Sequence, residues 1–367
     1  MPDERTQAWR DLRAMRAAPV GMAAEDEARR AVFSSSLQQA QELADASSDA
    51  GYATKPLLQF YALSQGLRAL NAAVEETDRW RIRGHGASVE TGDKLMATKT
   101  TPKPSAKSDS MDSLTAAQGG SELQSLPMTE AMSFGAIWLA NARIPDLPDD
   151  LRVVGARPLR VHVPPVQQVH EMALKAGRVD LALEGLSADL ANEELVEALK
   201  AYPTLAGAVP TSTLIPDEEI LGQPHVKGKA QLRFADETPR RGLRIPGVQW
   251  TKNAPVVSWS LLTMSKDDAQ ELFERVAPVP VRKTDTVRMV FPALGGSPAP
   301  PYPALMWLLL HALSTFVRYE PEHWMAAIDL NRSRLAVALE DVCDQMDELI
   351  PISLRTWIRV SAGSEAP

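Results

Sequence analysis

The sequence predicts an α+β protein, predominantly helical, whose N- and C-terminal helices form a joint helical core with a smaller mixed or antiparallel sheet region in the middle. Three observations predict it. Broad apolar helical patterns sit at both ends of the chain, and short alternating runs punctuated by helix signals fill its middle. No repeat of fixed period occurs, which argues against a solenoid. A chain of 367 residues suits two domains or one large domain with insertions, and 44% apolar with 23% charged residues is ordinary globular composition.

Taken in order, the elements give four regions. Residues 1–90 read as an N-terminal helical region. Trp9, Leu12 and Met15 open an apolar stripe that Phe33, Leu37 and Leu43 continue through a segment of good helix propensity. Its strongest element is KPLLQFYALSQGLRALNAA (55–73), where Leu57, Phe60, Tyr61, Leu63, Leu67 and Leu70 cover a wide face and Pro56 suits the first turn. Gly66 inside it costs propensity, so close packing against another helix is expected there. Residues 91–127 carry TPKPSAKSDS and AAQGGSELQ with few large apolar side chains, the composition of a flexible insertion whose edges can pair as short strands.

Residues 128–300 form a mixed α+β region. MTEAMSFGAIWLANARIP predicts a helix ending before Pro145. LRVHV (159–163), RVDLALEGL (178–186), AQLRFA (230–235), PVVSWSLLTM (255–264) and DTVRMVF (285–291) predict strands, and NEELVEALKAY (192–202) and DDAQELFERV predict helices. Residues 301–367 form a C-terminal helical region that packs on the N-terminal helices. ALMWLLLHALSTFVRY is apolar on nearly every face and belongs in a core; Pro321 ends it and begins the next helix.

Charge and chemistry narrow the function classes. Lys and Arg total 39 against 47 Asp and Glu, a net charge of −8 that disfavours a general nucleic-acid or membrane-surface protein but leaves room for a local basic patch. Cys343 stands alone, so an intramolecular disulfide and a multi-thiolate metal site are both excluded. The charged opening MPDERTQAWRDLRAM lacks an apolar signal segment, and Ala304 to Phe316 is short for a membrane span and contains His311. A cytoplasmic protein without membrane association is expected.

No GxxxxGK[ST] loop, no GxGxxG after a strand and no GxSxG elbow occurs, so no cofactor is expected. His162 and His170 lack HExxH spacing, and no metal site is expected. Asp149–Asp150, Asp217 to Glu219 and Asp267–Asp268 read as helix-terminal acids. Cys343 reads as a buried packing residue and His311 as a hydrogen-bonded core histidine.

KPLLQFYALSQGLRALNAA, the GHG of residues 84–86 and LMWLLLHALSTFVRYEPEHW together resemble the YaaC-like family of bacterial proteins. The resemblance rests on Pro56, Leu57, Leu58, Phe60 and Tyr61, on His85 and Gly86, and on Arg318, Tyr319 and Trp324. The chain departs from the family pattern after the His-Gly turn, where it carries ASVETGDK instead of a basic run. The resemblance implies a bacterial, cytoplasmic protein and brings no particular reaction with it.

The most chemical-looking segment is RWRIRGHG (79–86). Arg79, Arg81 and Arg83 make it a candidate phosphate-binding turn for RNA or a nucleotide. Arg79 and His85, with five residues between them, also fit the loose Arg-to-His spacing of HEPN-type ribonucleases, in which a His moves the proton and an Arg stabilises the phosphate. As a structural turn, the same segment would instead use His-Gly to fix a corner. Arg318 and His323 share the loose spacing, but Arg318, Tyr319 and Trp324 read more simply as a structural corner with Arg318 paired to Glu320 or Glu322. Three readings follow. The first is a non-catalytic helical scaffold with an unknown protein partner. The second is an RNA-cleaving toxin or phage-defence effector using Arg79 and His85, and the third a nucleotide or phosphometabolite sensor.

Overall fold

The fold is that of a computed structural model, which describes residues 3–91, 95–103, 110, 128–141, 144, 147–148, 151, 153, 155–162, 178–186, 192–205, 210–211, 231–232, 256–260, 279–280, 287–297, 300 and 302–362. Two compact units emerge. One contains the described residues up to Gly155 and from Leu294 onward, so both ends of the chain build it together; the other contains those within Ala156–Ala293.

The first unit begins with α1 (Glu4–Ala17), α2 (Met22–Glu25), α3 (Glu27–Asp49) and α4 (Lys55–Val74). Asp3 caps α1 by accepting from Thr6 N at 2.8 Å, and Asp26 caps α3 by accepting from Arg29 N at 2.8 Å. Pro56 lies in the first turn of α4, where its missing N–H leaves no helical bond unmade. The chain returns through α7 (Tyr302–Tyr319), α8 (Pro321–Ala327) and α9 (Ala336–Ser361). Every side chain of α7 from Tyr302 to Phe316 is buried, as its all-round apolar pattern requires.

Helix α4 packs against both α7 and α9. Trp307 Nε1 donates to Ser64 Oγ at 3.3 Å, tying α7 to α4. A Cβ on Gly66 would lie 2.3 Å from Leu354 Cδ1, so only glycine lets α9 approach α4 this closely. Arg355 and Arg359 pair with Asp11 at 3.6 and 3.3 Å and fasten α9 to α1. Cys343 is buried in the α9 stripe, and burial pushes its thiol up to about 12.

A small antiparallel sheet of β1 (Ala87–Glu90), β2 (Lys99–Pro102) and β3 (Met132–Ser133) joins this unit. Its register pairs Val89 with Thr100 and Lys99 with Ser133. β2 places the beginning of the 91–127 segment in a strand with Thr100 fully buried; residues 92–94, 104–109 and 111–127 lie outside the described residues. The helix expected over 128–145 is shorter, α5 (Phe134–Ala140). Met132 and Ser133 pair with β2 instead, and Ser133 Oγ caps α5 by accepting from Ala136 N at 3.1 Å. Asn141 ends it, donating to Ile137 O at 2.8 Å.

The second unit holds β4 (Leu159–His162), β5 (Arg178–Glu184), α6 (Asn192–Leu199), β6 (Pro210–Thr211), β7 (Gln231–Leu232), β8 (Val256–Ser260), β9 (Val279–Pro280) and β10 (Val287–Val290). The strands form one mixed sheet in the order β6-β7-β8-β5-β4-β10-β9, antiparallel except where β7 runs parallel to β8. The helical α+β class therefore holds, with the larger sheet in the middle of the chain. The expected helix DDAQELFERV, His170 and the acidic pairs at 149–150, 217–219 and 267–268 lie outside the described residues. Among the described residues no helix is long and apolar enough to cross a membrane.

Candidate functional site

Two segments far apart in sequence meet at the α4–α7 seam. Phe60 on α4 faces Trp307 and His311 on α7 with Tyr61 beside it, and the turn after α4 lays His85 across them. Gly86 makes that turn possible at φ 74°, and Gly86 O accepts from Lys103 N at 2.7 Å while Gly84 O accepts from Ser110 N at 3.1 Å. His85 lies with its ring 5.3 Å from Phe60, 6.1 Å from Trp307 and 5.4 Å from His311. His311 stacks on Trp307 at 4.6 Å with an interplanar angle of 26°.

Both histidines carry an unsatisfied Nδ1. His311 is only 4% exposed, and its Nδ1 and that of the half-buried His85 have no hydrogen-bond partner. His311 holds the expected core position, with its Nδ1 left without a partner. Burial pushes the His85 imidazole below its ordinary value, and Arg318 and Arg68 act in the same direction. Burial, then His85 and Arg318, push His311 down to about 3. Both shifts favour the uncharged imidazole, which keeps one ring N–H as a donor.

The cations that act on His85 are thus Arg318 and Arg68, which sequence spacing did not single out as its partners. Arg68 follows Tyr61 by two helical turns on α4 and is exposed. Arg318 ends α7, where its Nε donates to Ser314 O at 3.2 Å and its Nη1 to the Tyr61 hydroxyl at 3.5 Å. Its guanidinium lies 5.0 Å over the Tyr319 ring. Arg318 does not pair with Glu320, which accepts from Thr91 at 2.9 Å and meets His323 Nδ1 at 3.2 Å.

The turn at 79–83 has a different setting. Arg79, Arg81 and Arg83 are exposed. Arg81 and the buried Arg29 both lie over the Trp80 ring, at 4.8 and 5.0 Å. Arg29 also donates to Ala72 O, Glu75 O and Thr77 O, and Asn71 donates to Trp80 O, so Trp80 anchors the chain leaving α4. At the other corner, Trp324 is buried and donates to Tyr52 O at 3.1 Å, whereas Tyr319 is 68% exposed. Glu320, Glu322 and His323 bring three ligand atoms within 4.8 Å of one another at the surface.

A second polar centre lies between α3, α4 and α9. Lys55 Nζ meets Asp344 at 3.0 Å and Asp347 at 2.9 Å, Ser47 and Gln59 donate to Asp347, and Tyr52 donates to Asp344. Lys55 and Asp347 form its buried part, Asp344 its exposed end, and the buried Gln59 Oε1 has no partner.

No curated protein and no solved structure matches the chain. A model of the YaaC-like Protein family matches residues 10–101 and 200–358, a span that includes Tyr61, Arg68, His85, His311 and Arg318. Because the match covers more than half of the chain, the chain belongs to the YaaC-like family.

Proposed function

We propose that this protein is a non-catalytic helical scaffold that docks a protein partner through the segment linking α7, α8 and α9. One observation carries the reading: Tyr319, Met325, Leu330 and Val337 are 68%, 51%, 62% and 58% exposed, and all fall in this short stretch. Large apolar side chains clustered in this way serve recognition better than solubility. Glu320, Glu322 and Asp329 lie among them together with the exposed Arg332 and Arg334, so the partner surface is apolar with a rim of mixed charge. The aromatic surroundings of His85 point away from proton transfer, which weakens the RNA-cleaving alternative with Arg79 and His85.

A photo-crosslinking residue at Met325, introduced into the protein in its native host, tests the reading. The expected result is one discrete crosslink to a different chain, lost with Leu330→Asp and kept with Val360→Asp, whose exposed site lies at the end of α9. Crosslinks only to a second copy, or equal loss with both variants, would count against it.

A further inference from the structure

We infer that Glu320, Glu322 and His323 form a zinc-binding site at the corner between α7 and α8. The inference concerns the protein alone and does not rest on the docking reading. One ligand atom from each of the three side chains lies within 4.8 Å of the other two, and Glu320 Oε2 stands 3.2 Å from His323 Nδ1. Ligand atoms around a tetrahedral zinc are about 3.4 Å apart, given zinc–nitrogen and zinc–oxygen bonds of about 2.1 Å. Glu320 and His323 therefore already stand at coordination spacing. Glu322, exposed in the first turn of α8, joins them by a change of rotamer.

The second observation comes from outside the group. Thr91, just after β1 and 229 residues away in sequence, donates its hydroxyl to Glu320 Oε1 at 2.9 Å. That bond holds one oxygen and leaves Oε2 turned toward the imidazole, as an outer partner orients a metal-ligating carboxylate. Glu320 directly precedes α8, yet its side chain caps no helical N–H. Among the described residues neither Glu320 nor Glu322 pairs with a Lys or Arg; Glu320 meets His323 instead. Two carboxylates so placed leave a negative charge that a divalent ion neutralises, and the positive end of α8 opposes it only weakly at an exposed position. The imidazole decides the metal. Calcium and magnesium take oxygen ligands, whereas a nitrogen with two carboxylates suits zinc, with water in the fourth position of this open corner.

Zinc chloride titrated into the chelator-treated full-length protein, followed by calorimetry and by thermal unfolding, tests the inference. Saturable one-to-one binding is expected, and it should raise the melting temperature. Glu320→Gln, Glu322→Gln and His323→Gln, none at a buried position, should each weaken binding by about tenfold or more. Thr91→Val, which touches the metal only through Glu320, should weaken it by about tenfold. Glu348→Gln, at an exposed acid on α9, and His311→Phe should leave the affinity unchanged. Absence of saturable zinc binding would overturn the inference. So would undiminished binding by His323→Gln, or magnesium bound as tightly as zinc, since either result makes the group a plain acidic patch. Equal loss with Glu348→Gln and Glu322→Gln would overturn it too, by spreading the metal over the acidic surface.

Discussion

The Lys55 ammonium lies 2.9 Å from the Asp347 carboxylate, with the two side chains only 8% and 9% exposed. Burial alone would lower the Lys55 pKa, but its bonds to Asp347 and Asp344 outweigh burial and hold it above the ordinary value. This ion pair joins the start of α4 to the middle of α9, so it links the two ends of the chain.

Removing one partner is therefore costly. Asp347→Asn should destabilise the first unit by about 1.5–3 kcal/mol, because the buried Lys55 then keeps only the more exposed Asp344 as its counter-charge. Lys55→Met combined with Asp347→Leu should cost less than the sum of the single changes. Urea unfolding measures both. The pH sign follows from the raised Lys55 value: its contribution is complete below the unfolded pKa near 10.5 and is lost as pH rises through the folded value. Additive single and double costs would show that the pair is not coupled.

Gly66→Ala reverses the usual helix expectation. In an exposed helix the change gains about 1 kcal/mol. Here the new Cβ would meet Leu354 Cδ1 at 2.3 Å, so the variant should lose about 1–3 kcal/mol from overpacking. Leu354→Ala costs stability of its own, and the double variant should lose less than the sum of the two single changes. A stabilised Gly66→Ala protein would show that α9 can step away from α4 freely.

Arg29 is a charged residue only 6% exposed because it does the work of a helix cap. Its guanidinium serves Ala72 O, Glu75 O and Thr77 O at the end of α4 and stacks over Trp80. Arg29→Met keeps the stem but leaves those carbonyls without their donor, an expected loss of about 2–3 kcal/mol. Hydrogen exchange of the amides between Asn71 and Arg81 should accelerate more than that of α1. Uniform acceleration across the unit would mean that Arg29 acts through global packing alone.

How much of this was legible follows from what periodicity can and cannot carry. The wide apolar faces of 55–73 and 304–320 each demanded a partner, and Ser64–Trp307 and Phe60–Trp307 show that they are partners. Gly66 signalled a close approach, and Leu354 makes it. The length of α5 was not legible, since the pairing of Ser133 with Lys99 depends on residues distant in sequence. Nothing local around Arg29 announces the carbonyls that bury it. The same limit applies at the candidate site. Local spacing offered Arg79 for His85, whereas Arg318 reaches the seam by contacting Tyr61, 257 residues away in sequence. Only the fold brings those charges together.

His311 gives the seam a pH dependence of definite sign. Its folded pKa, about 3, lies below the ordinary histidine value of 6.5, so between these values the unfolded chain binds a proton that the folded chain refuses. Stability therefore falls as pH drops below 6.5, by about 1.4 kcal/mol per pH unit from this one group. His85 is shifted in the same direction and adds to the slope, less so because it is half-buried. His311→Phe keeps an aromatic ring beside Trp307, removes the unpartnered Nδ1 and removes the proton site. The variant should be as stable as the parent at pH 7.5, more stable at pH 5.5, and shallower in slope between them. Chemical unfolding at a series of pH values across that window, above the range where most carboxylates titrate, isolates the effect. Parallel stability curves for parent and variant would show that His311 is not the group that refuses the proton.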